Sequence, residues 1–226
     1  MKNKFILLIL CLSYFLNSNA QYSVFGGFNT LKPFGNSSPY LGFHLGLEIP
    51  SDDENSLYGK FSFYAKNKLD PSVYGAPSLT LENLDQTDFS IQNVSGATYF
   101  NYTTIDGGRR YYILDGYDSG FSLYGGSNIM AIINRASVKL DAFDKAKYRL
   151  PAGFSSSGTV LNLGIGLSGG AKYTIAGVGS IFCDATFNYL IIGNICSNEL
   201  AKAVVATNVN SPIVFTFNIG FRKDFY

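Results

Sequence analysis

Five stretches of this chain alternate apolar and polar residues with a period of two, and this regularity restricts the fold more than any other feature. In 41–49, Leu41, Phe43, Leu45, Leu47 and Ile49 share one face, opposite Gly42, His44, Gly46 and Glu48. In 57–66, Leu57, Gly59, Phe61, Phe63 and Ala65 oppose Tyr58, Lys60, Ser62, Tyr64 and Lys66. The pattern returns in 161–175 and 181–191, where Leu163, Ile165 and Leu167, then Ile181, Cys183, Ala185 and Phe187, line the apolar side. It closes the chain, with Phe215, Phe217, Ile219, Phe221 and Phe225 against Thr216, Asn218, Gly220, Arg222 and Asp224. Successive side chains of a strand point to opposite faces, so each stretch reads as a two-faced strand. Weaker candidates at 22–28, 119–127 and 136–143 bring the expected strands to eight. The connections between them alternate in length, with long ones at 29–38, 67–118, 144–158 and 193–211, and short ones at 50–56, 128–135 and 176–177.

Composition decides which face meets which solvent. A water-soluble barrel turns its apolar face inward and needs a well-charged exterior. Here the polar face is mostly Gly, Ser, Thr, Asn and Tyr, and only 15% of the chain is charged. Small polar residues suit a narrow interior, which leaves the apolar face pointing outward. The first twenty residues carry Lys2 and Lys4, an apolar run from Phe5 to Leu16 and a small-residue ending at Ala20. They read as a secretory signal peptide cleaved after Ala20, leaving 21–226 as the mature chain. No later stretch approaches the ~18 apolar residues of a membrane helix, so strands must do any crossing. The formal charge of +1 becomes −1 once the two signal lysines are removed, which disfavours nucleic acid as a partner.

The signal peptide, the eight alternating strands, the alternation of short turns with long loops and the aromatic-rich last strand together resemble the small outer-membrane β-barrels of Gram-negative bacteria, the OmpA-type and OmpX-type transmembrane domains. The abundance of Asn, Tyr and Phe is also similar to secreted proteins of the Bacteroidota. The resemblance implies an all-β, closed up-and-down antiparallel transmembrane barrel of eight strands, integral to the outer membrane, with ten strands as the alternative. It implies termini and short turns on the periplasmic side and long connections outside. It further implies that outer-membrane lipid surrounds the chain and that the barrel-insertion machinery reads Phe217, Ile219, Phe221 and Phe225. Lys223 interrupts that pattern and Tyr226 extends it by one residue.

Parity then assigns Lys60, Lys66, Lys139, Lys172 and Arg222 to the lumen, with Glu48, Asp141, Asp184 and Asp224 as counter-charges. Glu48 and Lys60 face each other across a short hairpin and are expected to pair. An eight-stranded lumen is just wide enough for side chains to fill, and buried charges there must be paired. An ionic plug is therefore expected, with a narrow channel as the rival reading. Within the long connection 67–118, residues 98–114 read as a hairpin around Asp106-Gly107-Gly108, standing in water beyond the bilayer because neither face is consistently apolar. Tyr99, Tyr102, Arg109, Arg110, Tyr111, Tyr112 and Tyr117 give that connection the composition of a protein-contact patch. The expected partner is another envelope protein or an outer-membrane complex.

Enzymatic chemistry finds little to use. His44 is the single histidine, so zinc chemistry lacks ligands. As a general base His44 would need a serine such as Ser62, and an orienting acid such as Glu48 or Asp184. That outer-membrane hydrolase or lipid-modifying enzyme is the alternative to a non-enzymatic barrel. The Gly164–Gly169 run "GIGLSG" fits a dinucleotide-binding pattern, yet alternation continues through Tyr173, where a helix would be required. Asp85, Asp88, Asp106, Asp115 and Asp118 lack the spacing of a calcium loop. Neither cofactor nor metal is expected. Cys183 and Cys196 are the two cysteines of the mature chain, and sequence leaves their pairing open.

Overall fold

Among the described residues ten antiparallel strands form, and eight of them close into a ring. The computed structural model describes residues 21–34, 38–69, 78–84, 92–114, 120–152, 154–197 and 212–225. The signal segment, Tyr117 and Tyr226 lie outside them. The strands are β1 (Tyr22–Pro33), β2 (Tyr40–Pro50), β3 (Asn55–Lys68), β4 (Ser78–Asn83), β5 (Gln92–Leu114), β6 (Phe121–Leu140), β7 (Tyr148–Arg149), β8 (Ser157–Ile175), β9 (Gly179–Cys196) and β10 (Ile213–Phe225). Neighbours run β3-β2-β1-β10-β9-β8-β6-β5, and β5 pairs with β3 to complete the circle. β4 pairs with the start of β5, and β7 with the end of β4, so both extend the sheet outside the ring. The barrel has eight staves rather than ten.

Two expectations change. The hairpin around Asp106-Gly107-Gly108 does not exist: 92–114 is one 23-residue stave, and Gly107 pairs with Gly59 of β3 in mid-strand. Polar residues occupy both its faces, which hid the alternation. Gly108 marks a close approach of backbones, since a Cβ there would strike the Ser127 carbonyl. Likewise 119–127 and 136–143 are not two strands with a link between them; β6 runs straight through. Residues 129–133 are apolar on both faces, with Met130 and Ile132 inward and Ile129 and Ile133 outward, so period two fades there. One strand was split and another overlooked, and the total of eight stands.

The connections keep their alternation. The links at 51–54, 115–120 and 176–178 are short, and both ends of the ring strands, Tyr22 and Phe225, lie at that end, paired in register. Gly177, with φ of 73°, and Gly179, with φ of 141°, allow the tightest turn. The staves differ in length at the opposite end. β5, β6, β8 and β9 have 23, 20, 19 and 18 residues, whereas β1 and β2 have 12 and 11.

Side chains follow an inside-out rule. Phe28, Ile129 and Leu167 are 76%, 68% and 68% exposed, while Glu48, Ser62, Asn188 and Asn218 are wholly enclosed. Phe187 and Phe217 point outward and do not meet at the centre. The apolar interior is confined to layers: one around Leu31, Tyr40, Tyr64, Phe100, Met130 and Ile132 towards the long-loop end, and one of Phe25, Tyr58 and Phe182 nearer the short turns.

Candidate functional site: the lumen and the outer face

The lumen is built around Arg110, which β5 delivers from its inward face. Its guanidinium donates to Glu48 Oε2 at 2.5 Å and to Asp184 Oδ2 at 3.0 Å. The rings of Tyr58, Tyr124 and Phe25 stand 4.4, 4.8 and 5.3 Å from its central carbon, so the cation is walled by π faces as well as paired. Glu48 also accepts from Ser56 Oγ at 2.5 Å and Tyr112 OH at 2.6 Å. Asp184 accepts from Asn218 Nδ2 and Tyr124 OH. Arg222 donates to Asp224 at 2.8 Å and to the Tyr112 oxygen at 3.1 Å, which ties the last stave into the same network. Buried charges persist only when paired and hydrogen-bonded, and these carboxylates are both.

Among the described residues the inward charges are Lys60, Arg110, Lys172 and Arg222 against Glu48, Asp106, Asp184 and Asp224, four of each sign. The partners differ from those expected. Glu48 and Lys60 share the lumen, but Glu48 is held by Arg110, and Lys60 faces Asp106 at 3.6 Å. Three residues assigned to the lumen lie outside it. Lys66 lies within an irregularity between Tyr64 and Asn67 that breaks the parity; it is exposed and stands 4.7 Å over the Tyr99 ring. Lys139 and Asp141 are exposed because even-numbered residues of β6 face inward, the reverse of the phase read from 136–143.

The tyrosine–arginine patch disperses. Tyr102, Arg110 and Tyr112 enter the lumen, and Arg109 and Tyr111 face outward on the stave itself. Tyr99 sits half-buried under Lys66. Arg110 and Asp106 were missed as lumen residues for the same reason as β5. The usable signal was that Tyr102, Thr104, Asp106, Arg110 and Tyr112 share one parity.

Above the ionic layer lies a belt of amides. Asn29 donates to Tyr64 OH at 3.0 Å, and Asn128 to Asn188 Oδ1 at 2.8 Å. Gly166 must be glycine here, because a Cβ would strike the Phe187 carbonyl as well as the Asn188 and Asn128 amides. The "GIGLSG" run is thus the small-residue lining of a continuous strand. His44 lies between Phe25 and Phe182, with ring centroids at 6.1 and 5.8 Å. It is opposite Ser62 in register, but neither imidazole nitrogen has a hydrogen-bond partner in the structure. Nucleophilic catalysis requires that contact and an approach for substrate.

The outer face is apolar between two fringes. Tyr22 stacks on Phe225 at 5.2 Å beside the short turns, and Phe217, Ile219, Phe221 and Phe225 all point outward. Lys223 folds back on the carbonyls of Gly177 and Val178. Cys183 is a free, exposed cysteine on this face. Among the described residues no group of side chains could hold a metal ion.

No family model matches the chain, and no curated protein matches it in sequence. Solved structures are similar to it, and the first of those that follow shares its fold. A major outer membrane protein from Thermus thermophilus is 12% identical, with a TM-score of 0.54, over 90% of this chain and 99% of that one. Ail, the attachment invasion locus protein of Yersinia pestis, solved with the heparin analogue sucrose octasulfate, is 15% identical, with a TM-score of 0.46, over 90% and 99%. Neisserial surface protein A is also 15% identical, with a TM-score of 0.47, over 92% and 96%. The architecture is that of a small outer-membrane-type β-barrel.

Proposed function

We propose that this protein is an integral outer-membrane barrel that neither conducts nor catalyses, and that anchors a protein-binding rim at the cell surface. The observation carrying this reading is the inside-out arrangement: apolar side chains outside, and a buried network of paired charges with an aromatic and aliphatic cluster inside. A belt of outward Phe, Leu and Ile is costly in water and favourable in hydrocarbon. Leu31, Phe100, Met130 and Ile132 pack into one apolar layer inside the ring, which supports a plugged lumen. Enclosure of His44 among aromatic rings speaks against hydrolysis.

The rim is the part that stands clear of the membrane. β4 and β7 add two short strands there, joined by the Glu82–Arg149 pair at 2.8 Å over a small core of Leu81, Val94 and Tyr148. Rigid scaffolds commonly carry binding on such loops, and an envelope protein is the partner we assign to this rim. Insertion relies on the outward residues of β10, Phe217, Ile219, Phe221 and Phe225. Two measurements test the reading. Reconstituted in planar bilayers, the mature protein should pass no unitary current. From detergent-solubilised membranes it should retain a stoichiometric partner, lost when 78–84 and 141–152 are replaced by Gly-Ser linkers. Regular conductance steps would overturn the sealed lumen, and a partner indifferent to the replacement would overturn the rim.

A further inference from the structure

A groove crosses the outer face of the barrel from β5 to β9, enclosing about 680 Å³, and Arg109 stands at one end of it. Register explains its shape. One cross-strand row runs Leu57, Arg109, Ser127, Leu167, and the next runs Gly59, Gly107, Ile129, Ile165, Tyr189. Gly107 and Ser127 keep the floor low between larger neighbours. Apart from Arg109 the walls are almost wholly apolar.

The two ends of the groove lie at different depths. Arg109 pairs with Leu57, two residues from the start of β3, and lies five residues from the end of β5, so it sits low on the wall near the short turns. Tyr189 is ten residues into β9, well up the barrel wall. The groove therefore climbs from the short-turn rim towards mid-barrel, as an acyl chain does from its headgroup. Arg109 is exposed and rests over the Tyr111 ring at 5.1 Å. Among the described residues no carboxylate lies within ion-pair distance of it, although Asp52 in the neighbouring turn feels its charge. A guanidinium facing outward beside an apolar channel is complementary to one chemistry: a phosphodiester joined to a hydrocarbon tail.

We propose that this groove holds one glycerophospholipid of the periplasmic leaflet, with its phosphate on Arg109 and an acyl chain over Gly107 and Ser127. The inference rests on the membrane-spanning reading and on its orientation, with short turns in the periplasm. The test is native mass spectrometry of the full mature chain in detergent doped with dioleoylphosphatidylglycerol. Wild type should keep one lipid at collision energies that strip the rest. Arg109→Gln should lower the retained fraction about tenfold, the loss expected for one charge-assisted contact. Ser127→Phe, which fills the floor, should do the same, while Arg109→Lys restores part of the binding and Lys223→Gln changes nothing. Folding of each variant is read from the mobility difference between unboiled and boiled samples.

Equal retention in folded Arg109→Gln and Ser127→Phe overturns the proposal, as does a two-chain species that these substitutions dissociate, since the groove would then join copies of this chain. An adduct with the mass of a glycolipid from the opposite leaflet also overturns it. A chain that stays dispersed without detergent defeats the membrane reading instead, so the two failures are distinct.

Discussion

Arg110 is the residue on which the interior depends most, because it faces Glu48 and Asp184 at once. Removing one partner from a buried ion pair costs about 3–5 kcal/mol, since the orphaned charge stays buried. Arg110→Met should therefore lower the unfolding free energy of the detergent-folded protein by that amount, read as a lower urea midpoint at unchanged slope. Adding Glu48→Gln to Arg110→Met should recover part of the loss, because one orphaned charge is then gone. A different residue reports on pH. In the turn at 51–54, the Asn55 amide donates to both oxygens of Asp52, at 2.7 and 2.9 Å, and the Glu54 N–H donates at 2.9 Å. These bonds favour the ionised form and hold Asp52 below its usual range. A depressed carboxyl stabilises the fold above the unfolded Asp value, and the contribution is lost as pH falls through the folded value. Carboxyl NMR should show Asp52 titrating below an ordinary aspartate, and Asn55→Ala should move it back up.

At the scale of the strand, legibility followed the contrast between the two faces. β2, β3, β8, β9 and β10 alternate cleanly because an aliphatic or aromatic outer face opposes a small polar inner one. In β5 the inner face carries Asp106 and Arg110, and the outer face carries Gly107 and Arg109, so hydrophobicity does not oscillate even though geometry does. In β6 Met130 and Ile132 fill the lumen, and the contrast vanishes in the opposite way. The ionic network was half legible for the same reason: Glu48, Lys60, Lys172, Asp184 and Arg222 sit on clean strands, whereas Asp106 and Arg110 sit on the strand that was overlooked. Cysteine labelling of whole cells checks the assignment of β5. A cysteine placed at Gly107 should be shielded from a membrane-impermeant maleimide, and one placed at Lys145, exposed in the segment between β6 and β7, should react. Rapid labelling at 107 would return that segment to the surface loop read from sequence.

For the molecule as a whole, class and closure were legible because they depend on sums: low charge, an outer face free of it over most strands, and an even count of strands. What sequence could not convey was the height of the wall, since residues beyond the apolar belt lose the solvent contrast that makes strands visible. β5 is 23 residues long and β2 is 11. At about 3.3 Å per residue and the usual tilt, one flank stands about 30 Å taller than the other. Such a barrel has a front and a back. In the proposed membrane setting, a neighbour drifting in the plane of the bilayer would meet a tall convex shield from the β6 and β8 side. Among the described residues the wall is low where β1 and β2 stop, so on the proposed reading a partner would reach the rim from that one compass direction.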